Sequence, residues 1–346
     1  MESHRHADEQ GLGPDPAEVR TVLAIRPGSL ADVVRSVPAL RHVRATYPGA
    51  RIDVVAPQAA ADLLAVCPYV DRFVAIEQPS EAIVERFDVA LSWADPDASG
   101  GLEVEEVNAR FRASWRADGT PQRRAIHPAW PVRMDDASRM LRLAWLLGGD
   151  LADDAGLGLW PSLADRNGAA RLVVDAGRPI ALVHVGAGDP QRQWPVERWV
   201  GVVDLLEAIG LDPVLVGTGS DRDAARQVLA SVRQAPISLV DRTSLGVLCG
   251  LLERAALFVG ADSAPAAMAV ALDVRSVVIA PRSPFEYDCR PGRVDLVDAG
   301  ACVTCGEYAC PHGAPDAVDV SLDRALGQVD LAASAAVARW RREQIA

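Results

Sequence analysis

The sequence predicts an α/β protein of two successive domains, each a parallel sheet covered by helices. Three observations carry that expectation. The chain has 346 residues, which suits two domains at roughly 100–200 residues each. Short apolar runs alternate with amphipathic stretches of helical period, and strand–helix alternation implies a parallel sheet with right-handed crossovers. The alternation dissolves in mid-chain and starts again near Pro179. A composition of 49% hydrophobic and 24% charged residues is ordinary for a globular chain and excludes a mostly disordered one.

Residues 1–20 are polar, mix Gly, Pro and both charge signs, and read as a flexible tail. The first strand is TVLAIR (21–26), an apolar run typical of a buried strand. Pro27, Gly28 and Ser29 turn the chain into a helix expected from Leu30 to about Tyr47, with Val33, Val34, Val37, Leu40 and Val43 on one face. Pro48-Gly49 ends it, and RIDVVAP, a short helix (59–66), RFVAI and VALSW continue the alternation. From Asp95 to Trp130 no period survives; a helix resumes over about 135–147. The first domain is therefore set at 21–165, with 166–178 as linker.

The second domain is set at 179–325. Its strands are PIALVHVG, DPVLVG, ISLV, LFVGAD and RSVVIAP, with helices over about 195–209, 221–232, 244–254 and 265–272. A final helix is expected within 320–342, and 326–346 is assigned as a C-terminal helix.

The net charge is −12, so nucleic acid is not an expected partner and an anionic membrane surface would be repelled. Every cation is Arg, because the chain has no Lys; a lysine Schiff base or a Walker-type phosphate lysine is excluded. No apolar stretch is long enough for a transmembrane segment. Six scattered cysteines in a chain of this length do not form a secreted disulfide framework, and a cytoplasmic location is expected.

Chemistry is sought beyond the carboxyl ends of the strands, where open parallel sheets bind ligands. RPGSLADVV puts Ser29 and Asp32 at the mouth of the first helix. They fit an N-cap and a first-turn acid, and equally a general base able to take a hydroxyl proton. HVGAGDPQRQWP places Gly186 and Arg192 after a strand; Arg192 suits a phosphate fork or an ordinary solvated loop. FVGADSAP places Asp262 and Ser263 where free helix N–H groups make an anion site, or an ordinary cap. The G-x-G pairs lack the third glycine and downstream acid of a dinucleotide fingerprint, which disfavours an NAD-dependent oxidoreductase.

Together these segments resemble the ADP-heptose–lipopolysaccharide heptosyltransferases, glycosyltransferase family 9, over about 21–331. IRPGSLADVVRSVPAL is similar to the family's I-x-R-x-x-[ST]-x-G-D-x-x-x-x-x-P-x-L. HVGAGDPQRQWPVERW is similar to its H-P-G-A-x(n)-K-x-W-P motif, and VGADSAP to its V-G-x-D-[ST]-G-[PL]. The resemblance implies a GT-B fold, two Rossmann-like domains with a cleft between them, and a C-terminal helix that often packs back on the first domain. It implies Asp32 as catalytic base, with Ser29, Gly186, Arg192, Asp262 and Ser263 toward an ADP-sugar donor. The reaction implied is inverting, free of cofactor and metal, and moves a heptose-like sugar to a hydroxyl of a glycan, lipid-linked or small-molecule acceptor, lipopolysaccharide core being the family's usual one.

The departures from the motifs lie at the site. Ala31 and Ala264 replace glycines, Val185 replaces a proline, and Ala267 stands where the family usually has a phosphate-contacting His. A non-catalytic nucleotide-sugar or carbohydrate-binding relative is the alternative these changes leave open. Arg110, Arg112, Arg116, Arg123 and Arg124, with Trp115 and Trp130, fit a solvated run or an acceptor-binding face; Arg123 and Arg124 are the acceptor-side candidates. Cys302, Cys305, Cys310 and His312 have the spacing of a structural zinc site, and equally of a Cys-containing loop without metal.

Overall fold

The computed structural model describes residues 11–79, 84–95, 102–115, 125–126, 128, 134, 136–149, 158–174, 177–188, 193–280, 293–298 and 319–344. The chain divides into two units, 1–158 and 159–346. Among the described residues no helix is long and apolar enough to cross a membrane.

The first unit holds β1 (Thr21–Ile25), β2 (Arg51–Ala56), β3 (Arg72–Ala75), β4 (Phe87–Ser92), β5 (Ala109–Ser114) and β6 (Ala125–Ile126). They form one sheet in the order β3-β2-β1-β4-β5-β6, all in parallel. Alternate residues of β1 serve different cores. Val22 and Ala24 pack with α1 (Leu30–Arg35), α2 (Val37–Thr46) and α4 (Asp136–Leu146), whereas Leu23 and Ile25 pack with Val55, Phe87 and Val104. A strand buried on both faces reads as a continuous apolar run, which is why TVLAI is legible in the sequence. A short helix, α3 (Ala61–Leu64), follows β2.

The second unit holds β7 (Ile180–His184), β8 (Asp212–Val216), β9 (Ile237–Ser238), β10 (Leu257–Ala261), β11 (Ser276–Ile279) and β12 (Val294–Val297). Their order is β12-β11-β10-β7-β8-β9, again all in parallel. Its helices are α5 (Leu163–Leu172), α6 (Val196–Ile209), α7 (Arg222–Ser231), α8 (Leu245–Arg254), α9 (Ala264–Ala271) and α10 (Leu322–Glu343). Trp199, Val202 and Leu206 of α6 and Val329 and Ala333 of α10 close one face of the sheet. Truncating large side chains of such a core to Ala costs about 2–5 kcal/mol.

Both sheets have the 3-2-1-4-5-6 order of doubly wound folds, whose ligands bind where the order reverses. Those switch points are the carboxyl ends of β1 and β4 in the first unit and of β7 and β10 in the second.

Several expectations need correcting. The helix expected from Leu30 to Tyr47 is two helices, broken at Ser36, whose hydroxyl donates to the Val33 carbonyl at 2.6 Å; Pro38 supplies no N–H there. The irregular stretch 95–130 contains β5 and β6. In β5, Arg110 reaches Asp88 and Arg112 caps the Val107 carbonyl, so charged residues sit in a strand whose polar faces are satisfied. The expected linker 166–178 begins instead as α5, with a Ser162–Asp165 capping box, and the division between the units falls earlier, after Gly158. Arg166 of α5 grips Glu253 of α8 through two N–H donors, at 2.7 and 2.8 Å. β12 was not anticipated. The C-terminal helix starts at Leu322, ahead of 326, and packs on its own domain against α6 and β11.

Candidate functional site

At the first switch point, β1 ends and Arg26 extends its pairing by donating its amide to the Val55 carbonyl at 2.8 Å. Gly28 follows with φ +108°, a left-handed value that favours glycine. A Cβ there would come within 2.5 Å of Asp32 Oδ2, so the turn also needs glycine for space.

Ser29 and Asp32 then form a capping box on α1. The Ser29 amide and hydroxyl donate to Asp32 Oδ2 at 2.6 and 2.8 Å. Asp32 Oδ1 faces Arg26 Nη2 at 3.3 Å and Arg35 Nη1 at 3.5 Å. Arg26 also donates Nε to the Asp32 carbonyl and Nη1 to that of Trp93, just past β4, tying both strand ends together.

Burial pushes the Asp32 pKa up, but Arg26, the Ser29 amide and hydroxyl, and Arg35 outweigh it and hold the carboxyl below its ordinary value. Its side chain stays 23% exposed. The capping and base readings are thus compatible: one carboxylate closes the helix end and remains ionised and reachable.

At the second switch point, Val185 and Gly186 follow β7, and Asp262 and Ser263 follow β10. The two strands are neighbours, with Gly260 beside His184 in register. Asp262 is buried, 4% exposed. Ser263 does not act as the ordinary cap the sequence allows, because its side chain makes no capping bond to α9. Its hydroxyl donates to the Ala261 carbonyl at 2.9 Å, and His184 Nδ1 lies 3.0 Å from Ser263 Oγ, within hydrogen-bond distance. Pro265 in the first turn removes one N–H, and Ser263 covers none of those that remain. A helix N-terminus left this way favours an anion.

Behind this face lies Asp221, which sequence reasoning missed. Its Oδ2 accepts from the Thr218 amide at 2.7 Å and sits 3.5 Å from His184 Nε2. Burial raises the Asp221 pKa, while His184 and Thr218 more than reverse that and leave it lowered. A Cβ on Gly186 would land 1.8 Å from Asp221 Oδ1, and one on Gly217 2.6 Å from Oδ2. The lack of a side chain at Gly186 therefore lets the β7 loop lie against a buried carboxylate. The available signal was T-G-S-D, a capping box directly after a strand.

Ala267, at the family's His position, is 1% exposed within the core-facing side of α9. Trp115 is 4% exposed and belongs to the first unit's core, which removes it from both a solvated run and an acceptor-binding face. Arg192, Arg123, Arg124, Trp130, and the Cys302, Cys305, Cys310 and His312 cluster lie outside the described residues.

Comparison with known proteins finds a family model, curated relatives and solved structures that this chain resembles. The model of glycosyltransferase family 9 (heptosyltransferase) matches residues 123–284. Lipopolysaccharide heptosyltransferase 2 of Salmonella typhimurium is 26% identical over 298 residues, covering 76% of this chain and 83% of the relative. A glycosyltransferase family 9 structure from Veillonella parvula superposes with a TM-score of 0.77 at 18% identity, covering 95% of this chain and 99% of that one. The E. coli ADP-heptose lipopolysaccharide heptosyltransferase II structure gives 0.68 at 20% identity, with 90% and 98% covered. These likenesses establish the GT-B fold. With the family model spanning the second switch point and a heptosyltransferase relative aligned across three quarters of the sequence, the chain is similar to glycosyltransferase family 9 in both units, and this likeness supports a glycosyltransferase.

Proposed function

We propose that the protein transfers a heptose-like sugar from an ADP-sugar donor to an acceptor hydroxyl with inversion at the anomeric carbon. The observation that carries this reading is Asp32: a carboxylate at a strand-order switch point, held ionised by Arg26 and Ser29 yet partly exposed. Such a group takes the proton of an attacking hydroxyl as the new glycosidic bond forms.

The donor side is assigned to the second switch point. The N-terminus of α9, uncapped by Ser263, and the close-lying backbone at Gly186 favour a diphosphate there, through N–H groups aimed at developing negative charge. Since the Ser263 hydroxyl is already engaged with Ala261 and His184, its part is to fix the strand end rather than to donate to phosphate. Arg192 supplies the charged contact to the diphosphate, and Asp262 binds a donor sugar hydroxyl. ADP-heptose is the donor named for the E. coli relative, and lipopolysaccharide is the acceptor named for the relatives; both support this assignment. A small-molecule acceptor is the second acceptor class. No metal or cofactor takes part, and the reaction is placed in the cytoplasm.

The test is Asp32→Asn assayed with ADP-heptose. Transfer should fall by roughly 100-fold or more, the usual scale for a lost general base, while ADP affinity stays near that of the parent. Full turnover in the variant would move the base elsewhere. In a second arm, Arg192→Ala should weaken ADP binding by about 2–3 kcal/mol and leave adenosine binding unchanged. The difference should shrink with salt.

A further inference from the structure

The second domain carries a cavity of about 650 Å³ at the edge of the sheet opposite its switch point. Ile180 opens β7, Ala256 precedes β10 and Arg275 precedes β11, so the cavity lies at the amino ends of these strands. Gly186 and Asp262 lie past their carboxyl ends. A five-residue strand separates the two ends by roughly 16 Å. The cavity is therefore distinct from the proposed donor site. Its volume falls within the usual range for small-molecule sites, roughly 300–1,000 Å³.

Its wall is dominated by guanidinium groups: five arginines against three acids, in a chain whose net charge is −12. All three acids are occupied. Glu253 is held by Arg166, Asp273 by Arg293 at 3.0 Å, and Glu343 by Arg339 at 2.8 Å. Arg275 is braced by Asp295, and Arg178 by Asp212 at 2.7 Å and the Glu207 carbonyl.

Bracing fixes these arginines without using all their donors. Arg178 bonds through Nε and Nη1, leaving Nη2; Arg339 bonds through Nε, leaving both Nη groups. Arg254 has no partner among the described residues and is exposed at the end of α8. Trp340 of α10, half-buried, supplies a flat apolar wall.

We infer that this cavity is a second ligand site, which takes a small anionic metabolite bearing phosphoryl or carboxylate groups. Guanidinium forks bind both oxyanion types through paired N–H donors. The C-terminal ends of α8 and α9 face the same side and carry partial negative charge. An anion is held there only when several guanidiniums act together, so binding is sensitive to losing one.

The experiment is titration calorimetry of the full chain at low ionic strength, with pyrophosphate in one arm and citrate in the other. The parent protein should bind at least one of them saturably, and the arm that responds tells phosphoryl from carboxylate recognition. Arg254→Glu should weaken that binding about tenfold or more, because it replaces a donor by a repelling charge. It breaks no described hydrogen bond or ion pair, so basal glycosyl transfer should not change, while the melting temperature should fall only slightly because a negative charge then stands at the C-terminal end of α8. Arg254→Ala combined with Arg339→Ala should weaken binding by a similar factor without charge reversal. Absence of saturable binding in both arms overturns the inference. So does binding that is indifferent to Arg254→Glu and displaced by ADP, since that locates the anion at the donor site.

Discussion

Arg26 holds Asp32 from two directions: its Nη2 lies 3.3 Å from Asp32 Oδ1 while its Nε donates to the Asp32 main-chain carbonyl at 3.1 Å. The third donor goes to the Trp93 carbonyl, so one guanidinium joins two strand ends and the first turn of a helix. Replacing Arg26 by Met should have two separable effects. The acid limb of the kcat/KM profile should move to higher pH, because the cation that stabilises the Asp32 carboxylate is gone. Unfolding free energy should drop by about 1–3 kcal/mol through the unpaired carbonyls. A profile unchanged in pH while stability falls would confine Arg26 to a packing role.

The same pair sets an acid dependence of stability. Asp32 has a lowered folded pKa, so its contribution is fully present above the unfolded carboxyl value, about 3.9, and is lost as pH falls through the folded one. In Asp32→Asn that acid-dependent component should be missing. Urea unfolding of parent and variant between neutral and acidic pH measures it, and the gap between them should narrow on acidification.

Gly28→Ala should be damaging out of proportion to one methyl group. Its φ of +108° disfavours a side chain, and the new Cβ would press on Asp32 Oδ2. A loss of roughly 1–3 kcal/mol is expected from the backbone alone, together with reduced transfer as Asp32 is displaced. Wild-type activity and melting temperature in this variant would contradict the turn geometry.

Gly186→Ala should fail for a different reason, since a Cβ 1.8 Å from Asp221 Oδ1 cannot be accommodated without moving the loop or the carboxylate. ADP affinity is the measurement, and it should fall. Pairing the change with Asp221→Ala opens the space and should recover part of the loss if steric overlap is the cause.

Cys67 and Cys249 are buried, and burial pushes their thiols up to about 11 and about 12. Thiolate is the reactive form, so neither should be alkylated at neutral pH until the chain unfolds. Peptide-resolved mass spectrometry after timed iodoacetamide treatment reads this directly; rapid labelling at either position in the native protein would show that its site opens.

What the sequence determined was what local chemistry writes in one place. Strands buried on both faces, such as TVLAI and IALVH, have no polar side to interrupt them, so they stand out as apolar runs. The Ser29–Asp32 turn is legible for the same reason: cap, acid and glycine lie within five residues. β5 and β12 escaped notice because Arg110, Arg112 and Asp295 break the apolar pattern, and their charges are satisfied only by partners on other elements. α5 carries Asp165, Arg166, Asn167 and Gly168 in succession, which hides its helical period, and what holds it is another helix of its own domain, through Arg166 and Glu253.

Only the tertiary structure decided the second switch point. His184, Asp221 and Ser263 are distant in sequence, and β7 brings them together because it pairs with β8 on one side and β10 on the other. Whether Ser263 caps its helix or bonds to a histidine depends on which group stands opposite it. That is a property of strand order, and strand order comes from the packing of whole domains rather than from any short segment.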